Sequence, residues 1–151
     1  MAIRNIVKEG DDVLNKKCHY VTKFDDRLAM LIDDMKETLP QANGVGLAAP
    51  QVGILRRVVV INIPEEDVEL ELVNPEIIKT EGSQCEAEGC LSIPGVYQKV
   101  KRPMTVTVKA YDRYGNKLVV TGEGFLARCF CHEIDHLDGT LFVDRAEKKV
   151  K

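Results

Sequence analysis

No stretch of the 151 residues approaches the roughly 20 consecutive apolar residues that a membrane-spanning helix needs. A helical membrane protein is therefore not expected. The first twenty residues also lack the apolar core of a signal peptide, because Arg4, Lys8, Glu9, Asp11 and Asp12 interrupt them, and they are too acidic for a transit segment. The expected location is the cytoplasm. Basic patches are equally scarce: the formal charge is −3, and the one basic cluster is Lys148, Lys149 and Lys151 at the end, so nucleic acid is not an expected partner. Repeats, low-complexity tracts and linkers are missing as well, and the length suits a single domain, 1–151, with its own core.

With 44% hydrophobic and 30% charged residues, the composition is that of a globular chain. Phe24 to Pro40 places Leu28, Leu31, Ile32, Met35 and Leu39 at helical spacing, with Asp25 or Asp26 as the N-cap and Pro40 closing the segment. Arg57–Ile63, Leu70–Ile78, Thr105–Tyr111 and Lys117–Thr121 are rich in Val, Ile and Leu and bounded by Asn, Pro and Gly, as strands are. Asp112 to Asn116 reads as the hairpin between the last two. Gly124 to Leu137 is helical again, with Gly139 placed to terminate it. Strands between two helices without βαβ alternation imply an α+β class: antiparallel sheets packed around a C-terminal helix, with one N-terminal amphipathic helix.

Histidine is scarce too, and two of the three histidines fall in His132-Glu133-Ile134-Asp135-His136, an HExxH run in the C-terminal helix. Residues four apart share a helix face, so His132 and His136 can reach one ion, while Glu133, about 100° around, flanks it without ligating. His19 has no such partner and reads as a surface or turn residue. A tight site needs a further ligand, and thiolate suits zinc or ferrous iron. Five cysteines, an odd number, in a chain without a secretion signal argue for reduced thiols. Cys90 is the best candidate, because Gly89 beside it permits an unusual backbone and close approach and Pro94-Gly95 ends its segment. Cys129, one turn before His132, borders the site; Cys131 points elsewhere into packing; Cys85 is out of phase with Cys90 on an extended strand. Three protein ligands with an open fourth position are what a hydrolytic metal site requires.

Gly44-Val45-Gly46-Leu47-Ala48-Ala49-Pro50-Gln51 follows the first helix and is not a phosphate-binding Walker loop, having no Gly-Lys-Ser or Gly-Lys-Thr ending. Taken in order with Glu88-Gly89-Cys90-Leu91-Ser92 and the HExxH run, it resembles the three motifs of peptide deformylases. The resemblance runs from Ile3-Arg4-Asn5-Ile6 and Gly10-Asp11 to Leu141-Phe142-Val143-Asp144. It implies hydrolysis of the N-terminal formyl group of N-formylmethionyl nascent peptides. It also implies one divalent metal on Cys90, His132 and His136, Fe2+ in the cell, with Zn2+, Ni2+ or Co2+ as replacements. Glu133 would then move protons, and Gln51 with the Leu91 N–H would bind the formyl oxygen. The peptide would add as a strand against Gly44, Val45 and Gly46 and against Gly89. Phe125 and Cys129, on the His132 face, would wall the methionine pocket. Two departures stand out: Cys131 replaces a usual Gln, and the chain stops soon after Gly139, which weakens any expectation of a ribosome contact through a C-terminal tail.

Two rival readings share the helix. An HExxH metallopeptidase would take a third ligand downstream, from Asp144 or Glu147, and a non-catalytic metal module would close the site with a fourth ligand.

Overall fold

The structure, a computed structural model, describes residues 2–146. Glu147 and the basic cluster Lys148, Lys149 and Lys151 lie outside the described residues. Helices α1 (Asp26–Gln41), α2 (Phe125–Leu137) and α3 (Phe142–Arg145) accompany seven strands: β1 (Gly46–Ala48), β2 (Val58–Ile63), β3 (Val68–Glu81), β4 (Gln84–Cys90), β5 (Ile93–Arg102), β6 (Thr105–Tyr111) and β7 (Lys117–Glu123). Five strands form an antiparallel sheet in the order β1-β2-β3-β6-β7, and β4 pairs with β5 in a separate antiparallel ladder. The molecule therefore mixes helices with antiparallel sheets. None of the helices described is long and apolar enough to cross a membrane.

The larger sheet is covered on both faces. Val58 and Val60 of β2 join Leu28, Ile32, Met35 and Leu39 of α1 in one apolar cluster. Val59, Ile61 and Ile63 of the same strand join Ala127, Phe130 and Leu137 of α2 in another. Side chains alternate faces along a strand, so a strand covered on both sides must be apolar throughout, as the Val-Val-Val-Ile run of β2 is. β6 lies farther from α1 and alternates: Val106, Val108 and Ala110 are buried beneath α2 while the intervening residues are half-exposed.

Asp25 caps α1, its carboxylate accepting the Leu28 N–H at 3.1 Å. Pro40 does not close this helix. It sits inside the last turn, where its missing N–H forfeits a single backbone bond, and the helix runs on to Gln41. Termination comes from Asn43 at φ +57°, whose N–H bonds the Pro40 carbonyl while the Gly44 N–H bonds that of Leu39. α2 ends in the same way at Gly139, φ +76°, with the N–H groups of Gly139 and Thr140 on the carbonyls of His136 and Asp135. Any β-carbon on Gly139 would lie 2.7 Å from the Asn15 backbone, so the position needs glycine twice over.

The β4–β5 ladder escaped the sequence reading, and Pro94-Gly95 lies within β5 instead of ending a segment. The pairing jumps from Glu88–Gln98 to Cys90–Ile93, so Pro94 to Tyr97 bulge outward opposite Gly89. In that bulge a missing proline N–H costs no ladder bond, and Gly95 takes φ +79°.

Candidate active site

Almost every side of α2 is buried, yet it carries Arg128, His132, Glu133 and His136, each no more than 7% exposed. Burying so many polar groups is costly unless each is partnered, so the partners define the site. Glu88 supplies most of them: its carboxylate accepts Arg102 Nε at 2.9 Å and a second guanidinium N–H at 3.0 Å, Arg128 at 2.6 Å and His132 Nδ1 at 3.0 Å. Arg102 also donates to Asp135 at 2.7 Å. Burial by itself would raise the Glu88 carboxyl, but the hydrogen bonds from His132 and Arg102 hold it down at about 2.

Because His132 presents Nδ1 to Glu88, its Nε2 is left to face the cluster. Nε2 of His136 lies 3.4 Å from Cys90 Sγ. Cys90, His132 and His136 each offer one donor atom, all within 4.8 Å of one another. Burial and the neighbouring His132 depress His136 to about 3, so its ring stays neutral with lone pairs free to ligate. His132 is displaced the other way: burial opposes its charge, but Glu133, Cys90 and Glu88 outweigh it and draw the ring up to about 10. A sulfur and two imidazoles are a donor set suited to zinc or ferrous iron, and the residues fit a divalent metal.

Glu133 differs from every carboxylate around it. It is 5% exposed, no side-chain hydrogen bond among the described residues holds it, and its Oε1 is buried without a partner. Burial pushes its carboxyl up to about 7, against the pull of His132 and with the push of Glu88. The chemistry expected of such a group is to exchange a proton near neutral pH.

Gln51, buried in the tight turn Ala49–Val52, is oriented by the Ala48 N–H, which donates to its Oε1 at 3.0 Å. The carboxamide nitrogen is thereby aimed at Cys90 Sγ, 3.6 Å away, and Ser92 Oγ, 3.2 Å away. Leu91 lies in the turn between β4 and β5, and its N–H donates to none of the described residues. A cavity of about 640 Å³ opens over this centre, bounded by Gly44, Val45 and Gly46 on one side, Gly89 and Leu91 on another, and Phe125, Cys129, His132 and Glu133 along α2. The three glycines leave room that side chains would fill: a β-carbon on Gly44, Gly46 or Gly89 would come 2.6 Å from Leu91, Glu133 or Tyr97 respectively. β1 is the terminal strand of its sheet, so one backbone edge faces the cavity.

Every residue expected to bind metal or substrate or to act in catalysis lines this cavity except His136, which is 1% exposed and joins the site through the donor cluster. Cys131 is buried, its thiol raised by burial to about 11, and Cys18 likewise. His19 is exposed, its backbone N–H donating to the Leu55 carbonyl and its carbonyl accepting the Arg57 N–H. Asp144 accepts the Leu141 N–H at 2.9 Å, capping α3, and does not join the donor group.

Residues 3–151 match the family model described as polypeptide deformylase. A peptide deformylase of Caldicellulosiruptor bescii is 58% identical over 145 residues, spanning 96% of this chain and 86% of its own. Peptide deformylase 2 of Clostridium acetobutylicum is 53% identical over 152 residues, spanning both chains completely. This chain belongs to the polypeptide deformylase family. Among solved structures, the peptide deformylase of Legionella pneumophila superposes with a TM-score of 0.92 at 48% identity, covering 96% of this chain and 86% of that one. That of Synechococcus elongatus, in complex with actinonin, gives 0.92 at 45%, covering 97% and 80%.

As a deformylase the chain is a metal-dependent hydrolase that removes the N-terminal formyl group from nascent peptides. Its deformylase motifs explain Cys90, His132 and His136 without explaining what holds them. The Glu88, Arg102 and Arg128 network was missed in the sequence. Two signals pointed to it: Glu88 is two residues before Cys90, on the same side of an extended strand, and Arg128 is one turn before His132. Arg102 carries no local signal.

Proposed function

We propose that this deformylase holds one divalent metal on Cys90, His132 and His136 and moves protons with Glu133. The observation that carries the reading is a buried carboxylate that no hydrogen bond from the described residues holds, placed beside a three-donor cluster at the floor of an open cavity. When bound, the metal supplies Lewis acidity, lowering the pKa of water towards about 7 and polarising the formyl carbonyl. Glu133 accepts the proton of the attacking water and returns it to the departing amine nitrogen, which otherwise leaves poorly. The Gln51 carboxamide N–H and the Leu91 N–H donate to the formyl oxygen as negative charge develops there, each contributing about 2–4 kcal/mol. Glu88 keeps His132 in the tautomer that ligates through Nε2.

The peptide adds along the free edge at Gly44, Val45 and Gly46 and against Gly89, with methionine between Phe125 and Cys129. In the cell the metal is ferrous iron, with zinc, nickel or cobalt as functional replacements, and the enzyme acts in the cytoplasm on chains leaving the ribosome. Anaerobic purification with metal quantification, followed by comparison of formyl-Met, acetyl-Met and internal peptide substrates, tests all of this. About one metal per chain and turnover of formyl-Met peptides alone are expected. Cleavage of internal peptides would favour the metallopeptidase instead, and bound metal without turnover the non-catalytic module.

A further inference from the structure

We propose that Gly46 is a positioning residue for Glu133: its bare Cα leaves the slot in which the Glu133 carboxylate lies, and that slot orients the carboxylate in place of hydrogen bonds. The inference rests on the reading of Glu133 as the proton carrier.

A β-carbon on Gly46 would stand 2.6 Å from Glu133 Oε2 and 3.0 Å from both Cδ and Cγ, so the carboxylate occupies the space a side chain would take. The backbone does not call for glycine here, because Gly46 is absent from the residues with positive φ and pairs with Ile61 in an ordinary antiparallel register. The requirement is spatial. Other buried carboxylates are held differently: Glu88 by two arginines and a histidine, Asp34 by Arg4 and the Ala2 N–H. Among the described residues Glu133 has no such partner, and its Oε1 is buried without one. A carboxylate that must give and take a proton cannot be tied up by fixed donors, so shape is the means left to aim it. β1 is anchored on both sides, with fully buried Leu47 packed towards α1 and Ala48 towards α2. An added methyl therefore displaces the end of the Glu133 side chain and not the strand. Misplacing a reacting group by about 1 Å costs on the order of 10²-fold in rate.

The test is a double-mutant cycle on metal-loaded enzyme with Gly46→Ala, Glu133→Ala and the pair, reading metal content, KM and kcat on a formyl-Met peptide. Gly46→Ala is expected to fold, keep its metal and an unchanged KM, and lose about 10- to 100-fold in kcat. In the Glu133→Ala background the same change is expected to alter the residual kcat less than about twofold, since no carboxylate remains to be displaced. Wild-type kcat in Gly46→Ala beside an inactive Glu133→Ala overturns the positioning role alone. So does an equal loss in both backgrounds, or a rise in KM without change in kcat, which would make Gly46 only a seat for the peptide. Loss of metal or of folding in Gly46→Ala would show that the strand yields instead of the carboxylate, and also overturns it. Normal turnover by Glu133→Ala overturns the proton-carrier reading itself, and the positioning role with it.

Discussion

α1 and α2 press on opposite faces of one sheet and end in the same left-handed cap, yet they bury different chemistry. α1 presents Leu28, Leu31, Ile32, Met35 and Leu39, and its two buried polar residues, Asp34 and Thr38, are tied to the N-terminal segment by Arg4. α2 buries an arginine, two histidines and a glutamate among its apolar residues. Apolar burial stabilises by roughly 25 cal/mol per Å², whereas buried charges at best offset their own desolvation. The α1 side should therefore carry stability and the α2 side chemistry, and substitutions in the two regions should separate the two properties.

The largest effect should come from the α2 side. Cys90→Ala removes one of three metal donors, so the purified protein should retain little metal after dialysis and show almost no turnover. Its melting should follow that of the metal-free parent. Cys18→Ala and Cys131→Ala, whose thiols lie outside the donor group, should keep their metal. Full metal retention by Cys90→Ala would place the third ligand elsewhere.

On the α1 side the pattern should invert. Met35 is fully buried against β2, and Met35→Ala should cost about 2–5 kcal/mol in urea unfolding through lost burial and a residual cavity. The kcat of the folded fraction should not change. A fall in kcat at full metal content would mean that the two faces of the sheet are coupled, and the comparison would fail.

The smallest effect expected is electrostatic. Glu71 of β3 is held near 2: burial would raise it, but hydrogen bonds from Arg113 and Lys36 outweigh that. A carboxyl depressed in the folded state stabilises above its unfolded value and loses that contribution as pH falls through the folded one. Stability should thus decline between about pH 4.5 and 2, and Glu71→Gln should make that decline shallower without altering activity near neutral pH. An unchanged acid profile in Glu71→Gln would assign the decline to other carboxylates.

What could be read from the sequence follows the same division. α1 and β6 were legible because each alternates with a single environment, and the HExxH helix because its spacing carries chemistry directly. β4 was not legible: in Gln84-Cys85-Glu86-Ala87-Glu88 the groups turned inward, Gln84 and Glu88, are polar and are partnered by Arg128 and not by apolar packing, so no apolar face marks the strand. Glu88 meets Arg102 and Arg128 from 14 and 40 residues away, and no local pattern reports such a pairing. Gly46 was read in the sequence as part of the segment expected to pair with the peptide; its closeness to Glu133 appears only in the fold.

The central claim is that the α2 site separates metal binding from proton transfer, and Glu133→Gln addresses it most directly. Glutamine keeps the size of the side chain but cannot accept a proton at neutral pH. Metal content, substrate affinity and kcat should be measured on one preparation. Metal near one per chain, little change in affinity, and a loss of about 10²- to 10⁴-fold in kcat/KM for a formyl-Met peptide are expected. Loss of metal would make Glu133 a ligand or a support, and unchanged turnover would remove it from the mechanism.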